Sequence, residues 1–157
     1  MTDVAMLRHT VATLAYRAAK ATRDVPPGFS DVRAAPGSRS AGEILAHMCD
    51  LFDWGLSMAQ GQWVWQDTRP TTWDADRARF FAALAAFDAY LASGQSLGRS
   101  PEVLFQGPVA DALTHTGQIG YLRRLAGAPV KGESYARADI VTGRVSAEQT
   151  PARREFE

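Results

Sequence analysis

Cysteine is nearly absent. With Cys49 alone, no disulfide can form within the chain, which excludes the disulfide frameworks of small secreted domains. Charge of one sign is also missing. Seventeen Lys and Arg balance seventeen Asp and Glu, leaving no net field to hold a nucleic acid or an anionic membrane, and only the local pair Arg123 and Arg124 breaks the evenness. No apolar run reaches the roughly eighteen residues of a membrane span. Asp3, Arg8, Arg17 and Lys20 interrupt the start of the chain, where a secretory leader keeps an apolar centre. The expected setting is a reducing cytoplasm. Histidine is scarce as well, three in all, which makes each position informative.

What the chain does have is apolar material, 46% of its 157 residues, enough for one core. The expected layout is a single domain over residues 1–149 and a charged, mobile end at 150–157. Val4, Leu7, Val11, Leu14 and Ala18 recur at three and four and predict a helix from Thr2 to about Arg23, stopped by Asp24-Val-Pro-Pro-Gly28. His9 lies off that stripe and reads as a surface residue. Residues 24–39 form a long surface connection, which frees the next helix from lying beside the first. Ser40-Ala-Gly-Glu43 is a capping box that should start a second helix running to about Gln60, with Ile44, His47, Leu51, Trp54 and Met58 as its stripe.

Residues 61–72 read as a loop whose Trp63 and Trp65 pack over the core edge. A third helix is expected from Thr72 to about Ser93 on Phe80, Leu84, Phe87 and Leu91. A second loop follows, with one helical turn at Glu102 to Phe105. Pro108 is placed to open the fourth helix, which stops at Gly127-Ala-Pro129. Glu102-Val-Leu-Phe-Gln-Gly-Pro108 coincides with the recognition sequence of a picornaviral protease, and an exposed loop there would be open to cleavage. The rest is an extended tail anchored by Tyr135, Ile140 and Val145. Four amphipathic helices without a strand predict an all-α bundle.

On the fourth helix Asp111, His115, Gln118, Leu122 and Leu125 fall on one stripe at helical spacing. Leucines at its far end are ordinary core; the carboxylate, imidazole and amide at its near end need partners. His47 takes the equivalent place on the second helix. Two ligands at i and i+4 and a third from a neighbouring helix hold a divalent ion rigidly, and a set of two imidazoles and one carboxylate leaves coordination positions open, as in catalytic sites. Zinc would turn a bound water into a nucleophile or accept a thiol or carbonyl; the Asp111 charge leans the site toward manganese or iron(II). Gln118 is placed to orient a ligand or water, and Asp50 to hold the free nitrogen of His47. The same three residues also fit a metal-free hydrogen-bonded cluster.

Glu43-Ile-Leu-Ala-His47, read with Asp111-Ala-Leu-Thr-His115-Thr-Gly-Gln-Ile119 and Leu122-Arg-Arg-Leu-Ala-Gly127, resembles the DinB-like (YfiT-related, damage-inducible) metal-binding four-helix bundles over nearly the whole chain. The resemblance implies an up-down-down-up bundle, often a homodimer, that binds zinc, nickel or a similar ion through one histidine of helix 2 and two of the last helix. His47 and His115 match that pattern, and Asp111 stands where the family has a histidine. Some relatives of this kind use the open site for thiol transfer with a low-molecular-weight thiol cofactor, or for hydrolysis, while many have no established activity. The expectation is therefore a metal-dependent hydrolase or thiol S-transferase, roofed by the aromatic loop and the tail, with Glu133 and Tyr135 as acid, base or substrate contacts. The alternative is a non-catalytic, stress-associated metal-binding or protein-interaction module.

Overall fold

Hydroxyl caps start the three long helices of the first hundred residues in this computed structural model, which describes residues 1–156. Thr2 accepts from Ala5 N–H at α1 (Asp3–Thr22), Ser40 from Glu43 N–H at α2 (Ala41–Ala59), and Thr72 from Ala75 N–H at α3 (Trp73–Ala92). The capping box at Ser40 is complete, since Glu43 Oε2 accepts the Ser40 N–H at 2.7 Å. The chain is all-α: the described residues contain no strand, only one antiparallel bridge between Glu133 and Glu155.

The last helical stretch departs from the expected loop and fresh start at Pro108. The chain turns helical at Pro101 in α4 (Pro101–Leu104), widens into a π turn (Phe105–Val109) and continues without a break into α5 (Ala110–Leu125). Pro101 takes the first-turn position. Pro108 lies inside, where an ordinary α turn would drive its ring into the carbonyl four residues back and require an N–H it lacks; the wider turn relieves both. Gly55 of α2 faces this turn, and a Cβ there would stand only 3.1 Å from Pro108 Cγ. The protease-recognition string is thus wound into helix, out of the extended form a protease needs. At the far end Gly127 (φ 72°) donates to Arg124 O and Ala128 N–H to Arg123 O, a Schellman closure.

Packing follows the apolar stripes. α2 lies along α3 and α5, and α1 along the same two helices. Phe52 is at the centre, edge-on to Phe80 at 6.0 Å and Phe87 at 5.6 Å between ring centroids. The buried face of α5 runs through Ala112, His115, Thr116, Ile119, Leu122 and Arg123, so Leu125, expected on the stripe, is exposed. Arg123 is no surface patch. Its guanidinium donates to Ala21 O, Arg23 O and Asp24 O at the end of α1, and to Ala128 O, closing two helix ends at once.

The tail beyond α5 is anchored by Val145, which is buried, with Tyr135 and Ile140 partly so. The end of the chain, expected to be mobile over 150–157, makes contacts with the body of the protein. Ser134 N–H donates to Arg154 O, Phe156 N–H to Gly132 O, and Glu155 reaches Lys20 at 2.8 Å; Glu157 lies outside the described residues. Trp63 and Trp65 differ as well. They remain 61% and 43% exposed, edge-on to Trp54 at 5.2 and 5.7 Å, and so form an aromatic rim instead of a core edge.

Cys49 is fully buried, with Sγ 3.3 Å from Asp76 O, and burial pushes its thiol up to about 12. The native protein is expected to resist iodoacetamide at pH 8 and to take up one label per chain in denaturant. Rapid labelling under native conditions, followed by mass spectrometry, would contradict this burial.

Candidate metal centre

The capping box of α2 places His47 two turns into that helix, and the π turn delivers Asp111 and His115 at the start of α5, where the two helices pack. One ligand atom from each of the three residues lies within 4.8 Å of the others. His47 Nε2 stands 3.4 Å from Asp111 Oδ2, and His115 Nε2 stands 3.4 Å from Asp111 Oδ1, so both imidazoles turn the same nitrogen to one carboxylate. The rings meet edge to face at 4.9 Å. His115 Nδ1 is 2.7 Å from Gln118 Oε1. An amide oxygen can only accept, so Nδ1 donates to it, and Nε2 is the ring nitrogen turned to Asp111. Gln118, expected to orient a ligand or water, is hydrogen-bonded to His115.

One feature bears on whether an ion could bridge these groups. Two nitrogen or oxygen ligands each about 2.0–2.1 Å from a tetrahedral ion stand roughly 3.3 Å apart; the two imidazole contacts, made to different oxygens of Asp111, are 3.4 Å, and the three ligand atoms as a set lie within 4.8 Å. As direct hydrogen bonds the same contacts are long. His47 is also poorly paired, for its Nδ1 is buried without a hydrogen-bond partner in the protein. Its Nε2 is the nitrogen turned to Asp111, so Nδ1 stays unpaired whether an ion or a hydrogen bond takes Nε2. Its pKa is held below the ordinary histidine value, first by burial and then by the charges of Arg39 and His115, against an opposing pull from Asp111. The neutral ring is the form that ligates. Half of the Asp111 side chain remains exposed, so one side of the cluster is open.

Asp50 does not hold His47. Its carboxylate is buried and turned toward the loop after α2, accepting from Thr68 N–H and Thr68 Oγ1 at 2.8 Å each and from Arg79 at 2.7 Å. Asp76 does the same to Thr71 N–H and Oγ1. Two buried carboxylates thus pin the loop, and the pinned loop carries Trp65 to 5.5 Å from the His47 ring. The i, i+3 spacing put Asp50 beside His47 on the helix, but a cation and a backbone N–H outcompeted a neutral imidazole for its oxygens.

Glu133 and Tyr135 lie elsewhere too. Glu133 accepts from Tyr16 OH at 2.5 Å and from Lys20 Nζ at 2.9 Å, and Tyr135 packs edge-on to Tyr16, all on the α1 side. The tail does not roof the cluster. What flanks it is a pair of hollows. An apolar one of about 540 Å³, with Ala34, Ile44, Tyr121 and Leu122, opens beside His115. A polar one of about 550 Å³, with Arg33, Asp67, Thr68 and Arg69, opens beside His47. Ser38 and Arg39 line both. Arg39 carried no signal in the sequence, since a loop residue just ahead of a helix cap has no periodicity to mark its direction. Comparison of the chain with protein-family models, curated proteins and solved structures returned no match.

Proposed function

We propose that this chain is a divalent-metal-dependent enzyme, a hydrolase or thiol S-transferase, built as an up-down-down-up four-helix bundle of the DinB-like kind and working as a homodimer. The observation that carries the reading is the convergence of His47, Asp111 and His115 with their ligand atoms within 4.8 Å and one side open. These three residues would hold the ion, with zinc, nickel, manganese and iron(II) as candidates; the carboxylate in place of a third imidazole favours the harder pair. A bound ion would supply Lewis acidity and lower the pKa of a coordinated water or thiol.

The rest is the work of the chain itself. Gln118 keeps His115 in the ligating tautomer. Trp65 covers one side of the His47 ring and keeps bulk water from it. Arg39, shared by the two hollows, is placed to hold an anionic part of a substrate whose apolar part lies against Ile44 and Leu122.

Elemental analysis of untagged protein, reconstituted in turn with zinc, manganese and iron(II) and desalted, tests the reading. The expected result is about one ion per chain with at least one of these metals, and metal-dependent turnover of a thiol or ester substrate panel. No retained metal under any condition would overturn it. Metal without turnover would support the second reading, a non-catalytic binding module, which is favoured by the contact of His47 Nε2 with Asp111, a pair that can form without an ion.

A further inference from the structure

On the other side of α5 from Gln118, the helix, α1 and the returning tail enclose a cavity of about 420 Å³, within the range of small-molecule sites. Its lining carries Arg17, Lys20, Arg124 and Lys131 against one carboxylate, Glu133. In a chain of zero net charge this is a marked local excess. Lys20 is neutralised by Glu133 and Glu155. Among the described residues Arg17, Arg124 and Lys131 form no ion pair. Arg17 is the most telling of them: its guanidinium lies 4.0 Å from the centroid of the Tyr135 ring, and its Nε is buried without an acceptor. Buried guanidinium N–H groups without an acceptor are costly. The floor is open, because a Cβ added at Gly117 or Gly120 of α5 would meet nothing within 4 Å. Tyr121, 56% exposed, adds an aromatic edge.

We infer that this cavity binds a small organic anion, with its phosphate or carboxylate group held by Arg17, Arg124 and Lys131 and its flat organic part lying over the Gly117–Gly120 floor beside Tyr121. A guanidinium held over the Tyr135 ring and an uncovered helix surface suit that combination of charge and ring. The cavity contains none of His47, Asp111 and His115, although Gly117 and Tyr121 also line the apolar hollow beside His115, and Glu133, held by Tyr16 and Lys20, leaves Arg17, Arg124 and Lys131 to the ligand.

Calorimetric titration of the full chain in EDTA tests this without reference to the metal. Phenyl phosphate and benzoate are the two probes, and they separate phosphate from carboxylate recognition; inorganic phosphate reports the part due to charge alone. One aromatic anion should bind more tightly than inorganic phosphate, and Arg124→Gln and Lys131→Gln, both at exposed positions, should each weaken it by about tenfold. Arg17→Gln should do the same, and Arg99→Gln, in a distant loop, should leave it unchanged. Failure of both aromatic anions to bind at millimolar concentration would overturn the inference, as would binding that is insensitive to Arg124 and Lys131.

Discussion

His115→Ala is expected to remain helical and to fail to retain the ion proposed for the cluster, with affinity for the reconstituting ion falling by more than about a hundredfold. Loss of an outer partner of a ligand costs roughly 10–100-fold, and His115 stands in the inner set. His47→Ala should match it, because each helix supplies a ligand the other cannot replace. The fold should survive both changes: the two contacts with Asp111 are 3.4 Å long and hold little of the structure together. Gln118→Leu gives the graded case. It frees His115 Nδ1 to change tautomer, so affinity should fall by about 10–100-fold with the ion still measurable. Competition with a chromogenic chelator, alongside thermal melts of each variant, separates the outcomes. Equal metal content in wild type and both histidine variants would place the ion elsewhere on the protein.

Glu133→Ala should cost about 3–5 kcal/mol, the usual penalty for removing one partner of a buried ion pair. Its carboxylate is 1% exposed and the Lys20 side chain 7%, so solvent does little to soften the loss. The substitution strips Tyr16 OH of its acceptor and leaves Lys20 only the outer Glu155. It also removes the Glu133 side-chain anchor at the point where the tail returns, leaving there the backbone bonds of the Glu133–Glu155 bridge. For a chain of this size the melting temperature should fall by about 10 °C or more. Replacing both buried partners, Lys20→Met with Glu133→Leu, should recover part of the loss, since no lone charge is left behind. Urea unfolding gives the numbers. A loss under about 1 kcal/mol in Glu133→Ala would mean that the tail docks without this pair.

Short-range chemistry was readable in advance. Thr2, Ser40, Thr72 and Gly127 mark their helix ends because a cap is a local hydrogen bond between neighbours in sequence. His47, Asp111 and His115 were legible for a related reason, as polar residues at apolar positions on stripes that had to face one another. Partner choice was not. Asp50 could bond a histidine one turn away or a threonine 18 positions on, and only the folded loop decides for Thr68 and Arg79. Glu133 and Lys20 are separated by 113 positions, and no pattern in the sequence joins them. Pro108 misled because a proline signals a helix start far more often than a helix interior, and its effect on the turn depends on Gly55 across the interface.

The widened turn at Phe105–Val109 acts as a phase adjuster for everything downstream. Each residue of an α-helix advances the side-chain direction by about 100°. One residue more or fewer between Leu104 and Ala110 would therefore swing Asp111 and His115 off the α2 side by more than a quarter turn, with every residue of the cluster still present in the chain. The clearance above Gly55 thus bears on the chemistry as much as on the packing. A bulkier residue there would push Pro108 outward and rotate Asp111 and His115 with it, so the angular setting of α5 depends on a position in α2 outside the cluster.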